Sequence, residues 1–128
     1  MRIIILLLFI SCQTQDCSEI KYNKRQKLST LNEKLFTGDC ESYYSRGKLK
    51  SKQSYVNGKD NGIWIFYYPD GQIQTEGEFK GGKRVGEWNY YFKNGKVYKT
   101  NLYNSNGERI GTWKEYNPKG EIVLEESF

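Results

Sequence analysis

From Gly38 onward, aromatic-rich apolar runs alternate with short clusters of Gly, Asn, Asp and Pro. The alternation is periodic. Cut before a recurring glycine, it divides into Gly38–Asn61, Gly62–Val85, Gly86–Ile110 and Gly111–Phe128, units of 24, 24, 25 and 18 residues. The third position holds Cys40, Trp64, Trp88 and Trp113, and the sixth is always tyrosine: Tyr43, Tyr67, Tyr91 and Tyr116. Gly47, Gly71, Gly95 and Gly120 occupy the tenth, with Leu49, Ile73, Val97 and Ile122 two places later. The eighteenth is Tyr55, Phe79, Tyr103 and Phe128, and Gly58 and Gly82 share the twenty-first. Agreement in so many columns marks a tandem repeat, in which each copy is one supersecondary unit that buries its surface against its neighbours.

Each unit predicts a β-hairpin. Two apolar runs flank Pro69-Asp70-Gly71, Lys93-Asn94-Gly95 or Pro118-Lys119-Gly120, sequences suited to tight turns. Val56-Asn57-Gly58-Lys59 and Lys80-Gly81-Gly82-Lys83 return the chain to the next copy. No helical period competes over this stretch. A strict two-residue period assigns Ile73 and Phe79, Val97 and Tyr103, and Ile122 and Phe128 to shared faces. Before the turn, Trp64, Phe66 and Tyr68 oppose Ile65 and Tyr67, and Trp88, Tyr90 and Phe92 oppose Tyr91. Aromatics on both faces suit a single-layer sheet held by cross-strand pairs, each contributing about 0.2–1 kcal/mol.

The first residues read differently. Met1-Arg2 precedes an unbroken apolar run of eight, Ile3 to Ile10. A membrane-spanning helix needs about 20 apolar residues, so the run reads as a secretory signal. Phe9-Ile10-Ser11-Cys12 resembles a bacterial lipobox, with Phe9 where leucine usually stands. That resemblance implies a signal peptide over residues 1–11 and diacylglyceryl attachment at Cys12. The product is an exported, membrane-anchored lipoprotein, outer-membrane or periplasm-facing. Ordinary signal cleavage nearby is the alternative. Residues 12–37 are then a lipidated tether and a degenerate N-terminal cap. Ser18–Leu28 reads as a half-hairpin with Tyr22 and Leu28 in repeat-like places. The alternative is a short helix over Leu28–Leu35, started by Ser29 or Thr30 with Glu33 near its third position.

Composition removes several function classes. There is no histidine among the 128 residues, so no imidazole base or Ser-His or Cys-His nucleophile system is available. Hydrophobic residues are 37%, yet 11 Tyr, 6 Phe and 3 Trp are present, so aromatic rings must do most of the burying. Beyond residue 12, residues 13–37 carry 5 basic and 3 acidic residues and residues 38–128 carry 14 and 12. So balanced a body is unsuited to nucleic acid, which requires a concentrated basic face.

Gly62-Ile63-Trp64 through Tyr67, Gly71 and Ile73 resembles the MORN-repeat variant family, and the likeness covers Gly38–Phe128. The resemblance implies an all-β fold of tandem antiparallel hairpins forming an elongated, twisted, single-layer meander. Such repeats are common in exported bacterial lipoproteins grouped with YwqK-type antitoxins of toxin–antitoxin systems. With no imidazole and no zinc-like spacing of the three cysteines, the chain reads as a non-catalytic protein without cofactor or metal that binds a protein partner, neutralising a toxin or effector, as the resemblance implies, or scaffolding the envelope. Binding of membrane lipid or glycan is the alternative.

Several residues could carry chemistry. Cys17 and Cys40 could form a disulfide between cap and first repeat, or Cys40 could serve only as a small buried apolar group. Glu76, Glu78, Glu115, Glu125 and Glu126 could supply a carboxylate pair, but alternation beside lysines fits solvated strand partners better. Lys48, Lys50 and Lys52 could meet anionic headgroups or guard a strand against aggregation. Trp64, Phe66, Tyr68, Trp88, Tyr90 and Phe92 form the sharpest candidate contact surface, with packing against neighbouring hairpins as the alternative. The strand ending at Phe128 could receive a partner strand by β-addition.

Overall fold

The computed structural model describes residues 14–128. The expected signal peptide over residues 1–11 and the expected lipidation site, Cys12, lie outside the described residues. Two sheets are present among the described residues. The larger takes β1 (Gln15–Asp16), β5 (Gly38–Tyr43), β6 (Leu49–Val56), β8 (Gly62–Tyr67), β9 (Ile73–Lys80), β10 (Lys83–Tyr91), β11 (Val97–Tyr103), β12 (Thr112–Tyr116) and β13 (Ile122–Ser127) in that spatial order, with β7 (Lys59–Asp60) pairing β6. The smaller sheet is β2 (Lys21–Asn23), β3 (Leu28–Leu31) and β4 (Lys34–Leu35). All pairings are antiparallel except the short parallel β1–β5 bridge. The body is an open, single-layer meander of hairpins.

Turn chemistry closes each hairpin in the same way. In the β8–β9 turn the Tyr68 amide donates to the Gln72 carbonyl at 2.8 Å, and the Gly71 amide donates to the Tyr68 carbonyl at 2.9 Å. Gly71 sits at φ 93°, the left-handed region open to glycine at little cost. Gly47, Gly95 and Gly120 repeat this conformation.

Immediately after each turn the ladder slips by one residue. Tyr67 opposes Ile73 while Phe66 opposes Thr75, leaving Gln74 as a bulge. Lys50, Tyr98 and Val123 are the equivalent bulges in the other copies. The bulge corrects the strict two-residue reading. Ile73 pairs with Tyr67 and Phe79 with Gly62, residues an odd number apart on β8, so Ile73 and Phe79 lie on opposite faces.

Each tryptophan ties its copy to the preceding one. The indole N–H groups of Trp64, Trp88 and Trp113 donate to the carbonyls of Ser54, Glu78 and Leu102 at 2.9, 3.2 and 3.0 Å. Around them runs an aromatic ladder, Phe36–Tyr55–Trp64–Phe79–Trp88, with successive ring centroids 5.6, 5.3, 4.8 and 4.9 Å apart. Tyr103–Trp113–Phe128 continues it at 5.2 and 4.9 Å. Tilted and edge-on pairs of this kind contribute about 0.5–1.5 kcal/mol each beyond their buried area. This is how a sheet with few aliphatic residues holds together.

At the N-terminal end, residues 21–35 form a three-stranded meander; the helix over Leu28–Leu35 does not form, and the strands run past the expected Ser18–Leu28 half-hairpin to Leu35. The Ser29 amide donates to the Gly58 carbonyl, and the Gly58 amide to the Phe36 carbonyl, at 2.6 and 2.7 Å. These bonds seat the cap on the Asn57-Gly58 turn. Tyr22 is 57% exposed and does not join the ladder. A three-residue 3-10 turn, Cys17–Glu19, then leads to a disulfide between Cys17 and Cys40. Cys40 is also buried against Phe36 and Tyr55, so it fills the tryptophan column and carries the bond together.

Candidate functional site

One face of the sheet carries the tryptophan ladder, and the six aromatic residues singled out in the sequence divide on it. Trp64 and Trp88 belong to the ladder, Trp88 being only 2% exposed. The Tyr68 hydroxyl donates to the Tyr91 carbonyl of the next copy at 2.7 Å, as Tyr44 does to Tyr67 at 2.6 Å. These three of the six hold hairpins together.

Phe66, Tyr90 and Phe92 are half-buried and carry no such tie to the next copy. Phe66 and Tyr90 lie in one cross-strand row, Phe66 opposite Thr75 and Thr75 opposite Tyr90. Two strand spacings, about 9–10 Å, separate them. Tyr98, which alternation alone did not single out, completes a cluster. As the bulge residue of its copy it turns its ring toward Tyr90 and Phe92, with centroids 6.0 and 5.3 Å away. Lys50, the equivalent bulge, sets its ammonium 5.9 Å from the ring centroid of Tyr44. Only the third copy puts an aromatic residue on the bulge.

Cations border this platform. The Arg84 guanidinium lies 4.4 Å from the Trp88 ring centroid and donates to the Tyr90 and Tyr103 hydroxyls at 3.3 and 3.5 Å. Lys99, opposite Tyr90, bonds Glu115 at 2.7 Å. Burial is the main cause raising the Tyr90 pKa above its ordinary value, and Arg84 opposes the rise. The bond to Glu115 is the main cause raising that of Lys99. A half-buried set of rings with fixed cations at its margin can stack against flat or apolar groups and accept a nearby carboxylate.

The remaining candidates are dispersed. Lys48 falls in the turn before β6, Lys50 is the bulge over Tyr44, and Lys52 bonds Glu41 at 3.6 Å, so the three lysines do not act as one strand face. Glu76 accepts from the Tyr91 hydroxyl at 2.6 Å and Glu115 is held by Lys99. Glu125 and Glu126 lie exposed on β13. Among the described residues no group of three or more His, Cys, Asp or Glu side chains is arranged to hold a metal ion. No helix of the described residues is long and apolar enough to cross a membrane.

No curated protein matches the chain. A solved structure, "Crystal structure of GtfA/B complex bound to UDP and GlcNAc", is similar over 66% of this chain and 21% of that chain, at 10% identity and a TM-score of 0.34. The chain spans about a fifth of that protein's length. The MORN repeat variant family matches four successive segments, residues 36–57, 60–80, 84–105 and 109–128. With a hairpin, a glycine turn and the recurrent tyrosine in every copy, the chain belongs to the MORN repeat variant family.

Proposed function

We propose that this protein is an exported, lipid-anchored, non-catalytic module that binds a protein partner through Tyr90, Phe92 and Tyr98. Its family is a non-enzymatic repeat module suited to binding. The observation that carries the reading is the ring cluster in the third copy, where Tyr98 on the bulge extends Tyr90 and Phe92 into one half-exposed surface. Clustered aromatic residues beside arginine are the composition of interface hot spots. Neutralisation of a toxin or effector, the role implied by the YwqK-type grouping, is the partner-binding form of this function. Scaffolding in the cell envelope is the other.

The test is a pull-down from native envelope with the intact chain and with a Tyr90→Ser/Tyr98→Ser variant that circular dichroism shows to be folded. One protein captured by the intact chain and lost with the variant supports the reading. Equal capture by both contradicts it.

A second reading, contact with membrane lipid or an anionic glycan, has its own support. The hairpin turns along one long edge expose Arg46, Lys48, Lys93, Lys96 and Lys119 against Asp70 and Glu121. Such a cationic edge favours an anionic surface, at about 1 kcal/mol per basic residue close to it. Salt-sensitive binding of the chain to phosphatidylserine vesicles, weakened by Lys93→Gln/Lys96→Gln, separates this reading from the first.

A further inference from the structure

The face opposite the tryptophan ladder has a different chemistry. Registered pairs trace one row across it: Glu41, Lys52, Ile65, Glu76 and Asn89, each opposite the next. Ile63, Glu78 and Val85 form a second, parallel row. Ile63 is 57% exposed and stands between two depressions in the sheet. One, of 430 Å³, is walled in part by Asp39, Glu41 and Lys52, and the other, of 230 Å³, by Glu76, Glu78 and Glu87. Lys52 is already paired with Glu41, and among the described residues neither Glu78 nor Glu87 has an ion-pair partner. The carboxylates gather at the second depression, whose lining holds no cation; beyond Glu78 and Val85 the same face ends in Lys80 opposite Lys83.

We propose that this acidic, isoleucine-ridged face is a second docking surface, whose occupant is an extended cationic segment of a partner protein. Charge complementarity selects the cation, and spacing selects the extended form. Glu76 and Glu78 follow each other on this face two residues apart, about 6.6–6.8 Å along the strand. Alternate side chains of an extended peptide repeat at the same distance. Lysine or arginine on one side of such a segment meets the carboxylates, while its apolar stems cover Ile63 and Ile65. The surface is independent of the Tyr90–Phe92–Tyr98 platform, because the two lie on opposite faces.

The probe is a fluorescein-labelled Lys-Ile-Lys-Ile-Lys peptide, titrated with the full chain and read by fluorescence anisotropy. Saturable binding is expected, weakened by raised salt. About a tenfold loss of affinity is expected in each of Glu78→Gln/Glu87→Gln and Ile63→Ser, with none in Tyr98→Ser. Equal binding of a Glu-Ile-Glu-Ile-Glu peptide would overturn the proposal, as would unchanged affinity in the Glu78/Glu87 variant. So would a loss in Tyr98→Ser as large as in Ile63→Ser. Self-association abolished by Glu78→Gln/Glu87→Gln, without peptide binding, would overturn it in favour of a second copy of the chain. Because partner capture by the platform is read with Tyr90→Ser/Tyr98→Ser, failure of either reading is distinguishable from failure of the other.

Discussion

The indole of Trp88 rests on the backbone of Gly77 so closely that a Cβ at Gly77 would lie 2.2 Å from Trp88 Cδ2 and 2.4 Å from Cε2. Gly77 is a glycine for space, in the middle of β9 and opposite Trp64. Trp88 is itself buried and anchored through its N–H to Glu78, so the ring has little room to retreat. Gly77→Ala is therefore expected to destabilise the fold by about 1–3 kcal/mol, the usual cost of overpacking. The urea midpoint of the purified chain measures it, and an unchanged midpoint would remove Trp88 from its place in the ladder.

Tyr68 and Phe92 occupy equivalent positions in successive copies, but only Tyr68 has a hydroxyl to reach the next copy's carbonyl. Tyr68→Phe is expected to cost about 1 kcal/mol, the net worth of one hydrogen bond. Phe92→Tyr is expected to shift stability in the opposite direction, by placing a donor near the carbonyl of Tyr116. Thermal unfolding of both variants tests the pair, and opposite signs are the expected result.

The Cys17–Cys40 bond closes a loop with a sequence separation of 23 and pins β1 against the edge of β5. By loop-closure entropy, Cys17→Ser or reduction is expected to lower stability by about 3 kcal/mol. Faster amide exchange should appear in β5 first, since β1 covers that edge. Exchange that rises instead in β12 and β13 would contradict this assignment.

The Tyr91 hydroxyl is pushed up to about 12, chiefly by burial and secondarily by its bond to Glu76. Burial also raises Tyr55. A tyrosine whose folded value exceeds its unfolded value, near 10, holds its proton more tightly when folded. Its contribution to stability is complete below about pH 10 and is lost as pH rises through the folded value. Urea midpoints measured between neutral pH and pH 12 should fall most steeply above about pH 10, and Tyr91→Phe should reduce the drop.

The repeat phase, the hairpins and the aromatic columns were legible because recurrence fixes them without knowledge of pairing. The strictly alternating faces were not, because a bulge leaves the residue pattern intact while shifting everything beyond it. Lys50, Gln74, Tyr98 and Val123 share that position but no chemical property. Tyr98 was accordingly missed, although its column held a signal: an aromatic residue in one copy alone. In sequence Tyr68 and Phe92 read as equivalent surface aromatics, yet the hydroxyl that separates them acts on a backbone carbonyl 23 residues further on. Long-range bonds of this kind become visible only once neighbouring copies are in register.

The most direct measurement of the central claim is photo-crosslinking in the native envelope, with a benzophenone amino acid introduced at the position of Tyr98 and, separately, at those of Glu78 and Asn94. The account predicts one discrete crosslinked protein from the Tyr98 position and none from Asn94 in the adjacent turn. A product from Glu78 would report the opposite face and bear on its separate occupant. Absence of any discrete product at the Tyr98 position, in a chain that remains folded, would contradict the platform as the surface through which this protein acts.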